Sequence, residues 1–262
     1  MSSDQVDVEQ SGSEPKSLGF DAVAPSADRA TARIPSDSGS EQGSQLTVVF
    51  AGGHGQIALL AQRRLAAAGH RPVGLIRTPV HADELRAAGS EPVVFDLERQ
   101  TAAELAEILQ EQSADALVFA AGAGPGSGSA RKMTVDRDGA ILLADAAELA
   151  SVNRYVVISA MAADDFEVGS GEVFQVYLRA KAEADEIVRS RPLDWTIVRP
   201  GGLTDEPATG QIQVAEHTGR GQIPRDDVAE IVVRLVVDGT GVRRQFEVIS
   251  GDIPIADALA TA

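Results

Sequence analysis

Residues 47–58 read Thr-Val-Val-Phe-Ala-Gly-Gly-His-Gly-Gln-Ile-Ala, and this stretch decides the fold. Its first half is almost wholly apolar, which is typical of a parallel strand covered on both faces of the sheet. The glycines allow a tight reversal, and the small residue Ala58 lets the following helix pack closely on the strand. A Gly-x-Gly-x-x-Ala turn between a first strand and a first helix predicts a dinucleotide site, with the pyrophosphate at the helix N-terminus.

Downstream, short β-branched runs alternate with longer alanine- and leucine-rich stretches of helical spacing. We predict strands at 46–51, 72–76, 92–95, 116–120, 154–159, 195–198 and 245–249. We predict helices near 55–68, 79–88, 101–112, 129–151, 172–190 and 225–238, with a short last helix after Pro254. This alternation indicates an α/β fold, a doubly wound parallel sheet forming a single Rossmann domain.

Composition excludes several classes of protein. The 262 residues carry a formal charge of −16, which disfavours a nucleic-acid partner. The absence of cysteine excludes a disulfide scaffold, a Cys-ligated metal and thiol catalysis. No stretch approaches the length of a transmembrane helix, so we expect no membrane association and a cytoplasmic protein.

Residues 1–44 differ from the rest of the chain. They hold ten serines, eight acidic and three basic residues, and no sustained apolar period. Such a segment buries too little apolar surface to offset its ordering entropy, so we predict a disordered acidic tail. The folded domain is then expected to span 45–262, and its acidity persists without the tail.

Cofactor preference is predicted from the end of the second strand. Arg77 stands where an NAD-specific site would carry Asp or Glu, and a guanidinium suits the 2′-phosphate of NADP; a solvated arginine is the alternative. Asp96, after the third strand, is placed to contact the adenine, although a carboxylate capping the local turn explains it almost as well. We expect NADP, with NAD less favoured. The predicted cofactor-binding residues around these strand ends are Gly52, Gly53, His54, Gly55, Gln56, Ile57, Arg77, Asp96, Leu97, Ala121 and Gly122.

Tyr177 and Lys181 stand four residues apart in a strongly helical stretch, so both project from one helix face. A nearby ammonium favours phenolate over phenol, so we expect the pKa of Tyr177 to be lowered toward neutrality. Such a tyrosine is a candidate proton donor and acceptor. Taken alone, Tyr-x-x-x-Lys is a common accident of helical sequence, but here it follows a dinucleotide turn.

With these motifs the chain resembles the short-chain dehydrogenase/reductases, specifically the atypical, extended-like members related to NmrA-like and flavin/biliverdin-reductase-type proteins. The resemblance covers roughly residues 45–255. Three further motifs support it: Val135-Asp136-x-x-Gly139, Val198-Arg199-Pro200-Gly201-Gly202-Leu203 and Arg225-x-Asp227-Val228-Ala229.

The resemblance implies roles for individual residues. Tyr177 would be the acid/base, and Lys181 would hold the nicotinamide ribose and tune the tyrosine. Ser159 would orient the carbonyl, although in extended members the hydroxyl commonly falls slightly later, where this chain has Met161. Asp136 takes the place of an asparagine. Pro200, Gly201, Gly202 and Leu203 would lie against the nicotinamide.

The implied activity is NADP(H)-dependent oxidation or reduction of a small carbonyl or alcohol, or an epimerase or dehydratase reaction that uses the cofactor transiently. The alternative is a redox sensor that binds the nucleotide without turnover. It is favoured by Met161, which stands where extended members commonly carry the hydroxyl, and by Asp136 in place of an asparagine. We expect no metal site, because the four histidines share no i, i+4 spacing and no carboxylate cluster. The substrate and the oligomeric state are not predicted.

Overall fold

The computed structural model describes residues 44–124 and 126–261; the predicted tail, apart from its last residue, lies outside them. The strands are β1 (Thr47–Ala51), β2 (Arg71–Ile76), β3 (Glu91–Val94), β4 (Ala116–Phe119), β5 (Arg154–Ile158), β6 (Asp194–Pro200), β7 (Gly202–Thr204), β8 (Gln211–Ala215), β9 (Gln222–Pro224), β10 (Arg244–Ser250) and β11 (Ile253–Pro254). The helices are α1 (Gln56–Ala67), α2 (Ala82–Ala87), α3 (Ala102–Glu111), α4 (Ser129–Arg131), α5 (Asp138–Ala150), α6 (Val173–Arg189), α7 (Arg225–Val237) and α8 (Ile255–Thr261).

The main sheet has the order β11-β8-β10-β6-β5-β4-β1-β2-β3. From β10 to β3 all neighbouring strands are parallel, and helices cover both faces. This confirms the predicted doubly wound α/β fold, and all seven predicted strands match observed strands to within two residues. In the part of the chain that the structure describes, no helix is long and apolar enough to cross a membrane.

The sheet separates two apolar layers because successive residues of a strand point to opposite faces. Val48 and Phe50 of β1 join the layer under α1, α7 and α8, whereas Val49 and Ala51 join the layer under α3, α5 and α6. Both faces of β1 are thus buried, as its apolar run predicted.

Four short strands were not predicted. β8 is antiparallel to both β10 and β11 and forms one end of a mixed sheet, while β7 and β9 form a separate two-stranded parallel pair. Only Ile212 of β8 is fully buried. The apolar-run criterion fails there because an antiparallel strand near the end of a sheet can bury one face and leave the other in water, so apolar and polar residues alternate.

The predicted helix at 129–151 is interrupted. A π-helical segment, Lys132–Arg137, separates α4 from α5 and contains the buried Val135 and Asp136. The predicted helix at 79–88 likewise begins with a 3₁₀ turn, Pro79–His81, before α2. Both irregular segments lie next to the carboxyl edge of the sheet, where the sequence predicts the dinucleotide site.

Candidate functional site

The glycine turn follows β1, beside the point between β1 and β4 where the strand order of the sheet reverses. Gly52 has a φ of +75°, and a Cβ there would lie 2.6 Å from the Cα of Ala121. A Cβ at Gly53 would lie 2.7 Å from the Cα of Gly74. Both glycines are therefore required for the turn to pack against its neighbours. The first turn of α1 carries no acidic residue, which leaves its positive end available to an anion.

A cavity of about 320 Å³ opens beside this turn. It brings together half of the residues predicted to bind cofactor: Gly52, His54, Gly55, Arg77, Asp96, Leu97, Ala121 and Gly122. The predicted residues that do not line it are Gly53, Gln56, Ile57, Lys181, Pro200, Gly201, Gly202 and Leu203. The eight residues that line the cavity follow the carboxyl ends of β1–β4, and they converge because parallel strands share one carboxyl edge.

Two guanidinium groups in the cavity share one carboxylate. Arg131 Nη2 lies 2.9 Å and Arg77 Nη1 lies 3.6 Å from Glu98 Oε2. The hydrogen bond from Arg131 is the largest cause of a lowered pKa for Glu98. Asp96 Oδ1 accepts the backbone N–H of Glu98 at 3.0 Å and so caps the turn after β3. The cavity therefore contains two guanidinium groups suited to an anionic ligand. Both are held in place by Glu98, whose carboxylate a bound anion could replace.

The structure also gathers two histidines and a glutamate, side chains of the types that bind metals, at the rim of this cavity. The rings of His54 and His81 stack with centroids 3.6 Å apart, and His54 Nε2 contacts a carboxylate oxygen of Glu84. Two histidines thus meet a carboxylate, an arrangement that their spacing in the sequence does not indicate. His54 is distant in sequence from His81 and Glu84, and it meets them because the turn after β1 and the segment after β2 lie side by side.

Tyr177 and Lys181 lie on one face of α6, with Lys181 Nζ 6.0 Å from the centroid of the tyrosine ring. The Lys181 side chain is buried; it donates to the carbonyl oxygen of Ile158 at 3.1 Å and lies 3.5 Å from Asp136 Oδ1. The other oxygen of Asp136 accepts the backbone N–H of Ala123 at 3.1 Å. Asp136 is thus an acceptor and a counterion for Lys181, whereas an asparagine would also supply a donor.

The pKa of Tyr177 departs from its ordinary value in the direction opposite to our expectation. Burial raises the pKa of its hydroxyl, and the negative charges of Asp136 and Asp185 raise it further. The expectation of a lowered pKa for Tyr177 neglected its burial and these two carboxylates. Tyr177 is therefore a neutral phenol at neutral pH, able to donate a proton but not poised to accept one.

Ser159 belongs to a buried network. Its hydroxyl donates to Asp185 Oδ2 at 2.7 Å, and Arg199 Nη2 lies 2.8 Å from the same oxygen. Arg199 also pairs with Asp164 through two hydrogen bonds. Burial raises the pKa of Asp185, and Arg199 opposes that effect. This geometry favours a positioning role for Ser159, since its hydrogen is engaged by Asp185.

The corner between β6 and β7 is held by backbone contacts. A Cβ at Gly201 would lie 2.5 Å from the carbonyl oxygen of Gly221, and Gly202 donates its N–H to that oxygen at 2.9 Å. Pro200 ends β6 and is buried, whereas Leu203 is partly exposed. The glycines at this corner thus permit close backbone packing.

Sequence reasoning missed several residues that the structure brings to the edge: Glu84, Glu98, Arg131, Asp164 and Asp185. Two had a usable local signal. Glu84 follows His81 by three residues at the start of a helix, and Asp185 continues the i, i+4 series of Tyr177 and Lys181. Arg131 had none, because only the tertiary structure brings α4 to the residues after β3.

Comparison with known proteins identifies relatives. The description of the family matching residues 52–238 is NAD(P)H-binding. The uncharacterized sugar epimerase YhfK of Bacillus subtilis is 37% identical over 218 residues, covering 82% of this chain and 99% of that protein. The resemblance to NAD(P)-binding proteins of the NmrA-like type is thereby confirmed.

Solved structures share the fold. A Bacillus halodurans protein described as an NAD-dependent epimerase/dehydratase is 32% identical, with a TM-score of 0.74; the match covers 83% of this chain and all of that one. The Escherichia coli anaerobilin reductase ChuY superimposes with a TM-score of 0.65 over 79% of this chain and 98% of its own. Its 21% identity indicates likeness of fold alone.

Proposed function

Since the chain belongs to the NAD(P)H-binding family of oxidoreductase- and epimerase-like proteins, we propose that it transfers a hydride between NADP(H) and a small carbonyl compound or alcohol. The observation that carries the proposal is the placement of the neutral phenol of Tyr177 over the buried Lys181 on the helix after β5. Membership of the family by itself supports an NAD(P)-dependent enzyme of the oxidoreductase type.

The residues at the cavity fit a phosphorylated dinucleotide. The glycine turn and the uncapped start of α1 suit a pyrophosphate, because backbone N–H groups and the helix dipole both favour an anion there. Arg77 and Arg131 would bind the 2′-phosphate of NADP by charge-assisted hydrogen bonds, displacing Glu98 from both guanidinium groups. This supports the preference for NADP over NAD.

In the reducing direction, NADPH when bound supplies the hydride to the carbonyl carbon. Tyr177 donates its proton to the carbonyl oxygen, so that an alcohol is formed and a phenolate is left to be reprotonated by water. Lys181 stabilises that phenolate electrostatically, while Asp136 holds the ammonium in place. Hydrogen bonds from Ser159 and Arg199 to Asp185 fix the ends of β5 and β6 against α6 and so position these groups.

The test combines binding and turnover. Calorimetric titration of the full chain with NADPH and NADH should show tighter binding of NADPH. A screen of carbonyl compounds, quinones and flavins should then find one that consumes NADPH in stoichiometric amounts. Equal affinities would remove the NADP preference. Product formation without net NADPH consumption, after preloading with NADP⁺, would assign the epimerase or dehydratase variant instead.

A second candidate, a redox sensor without turnover, is favoured by one observation: the hydroxyl of Ser159 is engaged by Asp185. A sensor must bind NADP⁺ and NADPH with different affinities or change its affinity for a partner between them, since only a ligand that discriminates between states can shift them. Titration with both cofactor forms tests the first condition, and a pull-down with each form, with and without residues 1–44, tests the second. Equal affinities together with no nucleotide-dependent partner would eliminate this candidate.

A further inference from the structure

At the rim of the nucleotide cavity, the ligand atoms of two imidazoles and a carboxylate all lie within 4.8 Å of one another. We propose that His54, His81 and Glu84 form a binding site for a divalent transition-metal ion, best suited to Zn²⁺. The proposal rests on these three side chains and is independent of the reaction proposed above.

The geometry needs only a small adjustment to close around a cation. Ligand atoms in a tetrahedral zinc site lie about 3.4 Å apart, given metal–ligand bonds of about 2.1 Å. The Glu84 side chain is 60% exposed and the His54 side chain 40%, so both can move by the required distance without disturbing the core. His81 and Glu84 are three residues apart at the start of α2, which places them on one side of the chain as a chelating pair.

The chemistry of the donors selects the class of ion. Imidazole nitrogen favours zinc and its transition-metal neighbours over Mg²⁺ and Ca²⁺, which prefer oxygen ligands. The chain contains no cysteine, so no thiolate of its own competes for the metal. Three protein ligands leave a fourth position for water or an anion. Since His54 and His81 both line the nucleotide cavity, that position is accessible from it.

The site would also link two segments of the fold. His54 belongs to the turn between β1 and α1, while His81 and Glu84 follow β2. A cation bound by all three would tie these segments together and stabilise the folded state by mass action. Metal binding should therefore raise the thermal midpoint of the protein in the absence of any nucleotide.

The experiment uses the full chain, stripped with a chelator and then titrated with Zn²⁺ by calorimetry and with Co²⁺ by visible absorption. We expect one equivalent of Zn²⁺ to bind, a visible Co²⁺ spectrum of low coordination number, and a Zn²⁺-dependent rise in Tm. His81→Phe keeps an aromatic ring beside His54 but removes the ligand, and Glu84→Gln keeps the shape of the carboxylate. Each should weaken Zn²⁺ binding by at least about tenfold and abolish the rise in Tm.

His217→Gln is the matched control, because His217 is exposed and lies away from the cluster beside Glu247. It should bind Zn²⁺ like the parent protein. The proposal is overturned if the parent binds no equivalent of Zn²⁺, or if the bound equivalent survives in both His81→Phe and Glu84→Gln. NADPH titration of the same metal-free variants checks nucleotide binding separately, so failure of the metal site and failure of the proposed function are distinguishable.

Discussion

The charged side chains at the two ends of the sheet's carboxyl edge, the proposed nucleotide-binding edge, lie in different environments. Near β2 and β3, the side chains of Arg77, Arg131 and Glu98 are 54%, 39% and 24% exposed. Near β5 and β6, those of Lys181, Asp185 and Arg199 are 5%, 0% and 3% exposed. Exposed ion pairs contribute little and exchange partners readily, whereas a buried charge that loses its partner is strongly destabilising. The first end is therefore suited to exchanging a carboxylate for a ligand phosphate, and the second to holding fixed geometry.

The largest expected effect tests the chemical role of the buried end. Tyr177→Phe keeps the ring and removes the proton donor, so kcat for carbonyl reduction should fall by about 10²- to 10⁴-fold, the usual contribution of general acid–base catalysis. NADPH affinity should stay unchanged. The other tyrosine, Tyr155, is buried with its hydroxyl donating to the carbonyl oxygen of Ala140. Tyr155→Phe is the control: it should lose stability but keep its turnover. Full turnover in Tyr177→Phe would contradict the proposed role of Tyr177 as the proton donor.

The pH dependence of the same reaction follows from the raised pKa of Tyr177. The donor form is the protonated phenol, which persists until the pH passes the pKa in the folded protein. The rate of reduction should therefore hold through about pH 10, the ordinary pKa of tyrosine, instead of falling there. A pH–rate profile at saturating NADPH measures this. A tyrosine-dependent loss of rate at pH 8–9 would mean that the lysine outweighs burial and the two carboxylates.

The next prediction concerns stability at the two ends. Asp185→Ala leaves Arg199 with only Asp164 and leaves Ser159 without its acceptor, so the free energy of unfolding should fall by about 3 kcal/mol. Glu98→Ala, at the exposed end, should cost less than about 1 kcal/mol. Urea denaturation of both variants compares them directly. Equal losses would contradict the distinction between the two ends.

A smaller effect is expected on cofactor preference. Arg77→Asp removes one guanidinium and adds a repulsive charge, so NADPH affinity should fall by about ten- to a hundredfold, with NADH much less affected. Arg86→Ala is a matched control, because Arg86 lies on α2 and pairs with Asp83 outside the cavity. An unchanged ratio of NADPH to NADH affinity would mean that Arg77 is a solvated arginine with no role in cofactor preference.

The smallest effect sharpens the role of Glu98 as a replaceable partner. Glu98→Gln frees Arg77 and Arg131 from their shared carboxylate, so NADPH should bind about two- to fivefold more tightly, the equivalent of one exposed ion pair. Calorimetry at fixed ionic strength measures the change. Weaker binding would instead show that Glu98 is needed to order the two arginines.

The sequence indicated site residues most clearly where a strand and the turn that follows it form one short stretch. The glycine turn after β1, Arg77 after β2 and Asp96 after β3 were all identified from short stretches, and the structure gathers them at one cavity. Their convergence was predictable because parallel strands share a carboxyl edge. By contrast, Glu98 and Arg131 come from different connections, and their pairing depends on how α4 docks.

By itself, the sequence determined the order of the seven parallel strands and of the helices between them, the glycine turn after β1 and the Tyr177–Lys181 pair on one helix face, but not the four short strands β7, β8, β9 and β11. These features depend on contacts between near neighbours in the chain and on periodicity, which a sequence displays directly. Only the tertiary structure decided that burial, together with Asp136 and Asp185, raises the pKa of Tyr177, that Asp185 engages Ser159, and that two histidines meet Glu84. The physical reason is that burial and electrostatic interaction depend on distances between atoms from separate segments, and those distances exist only after the sheet and its helices have packed.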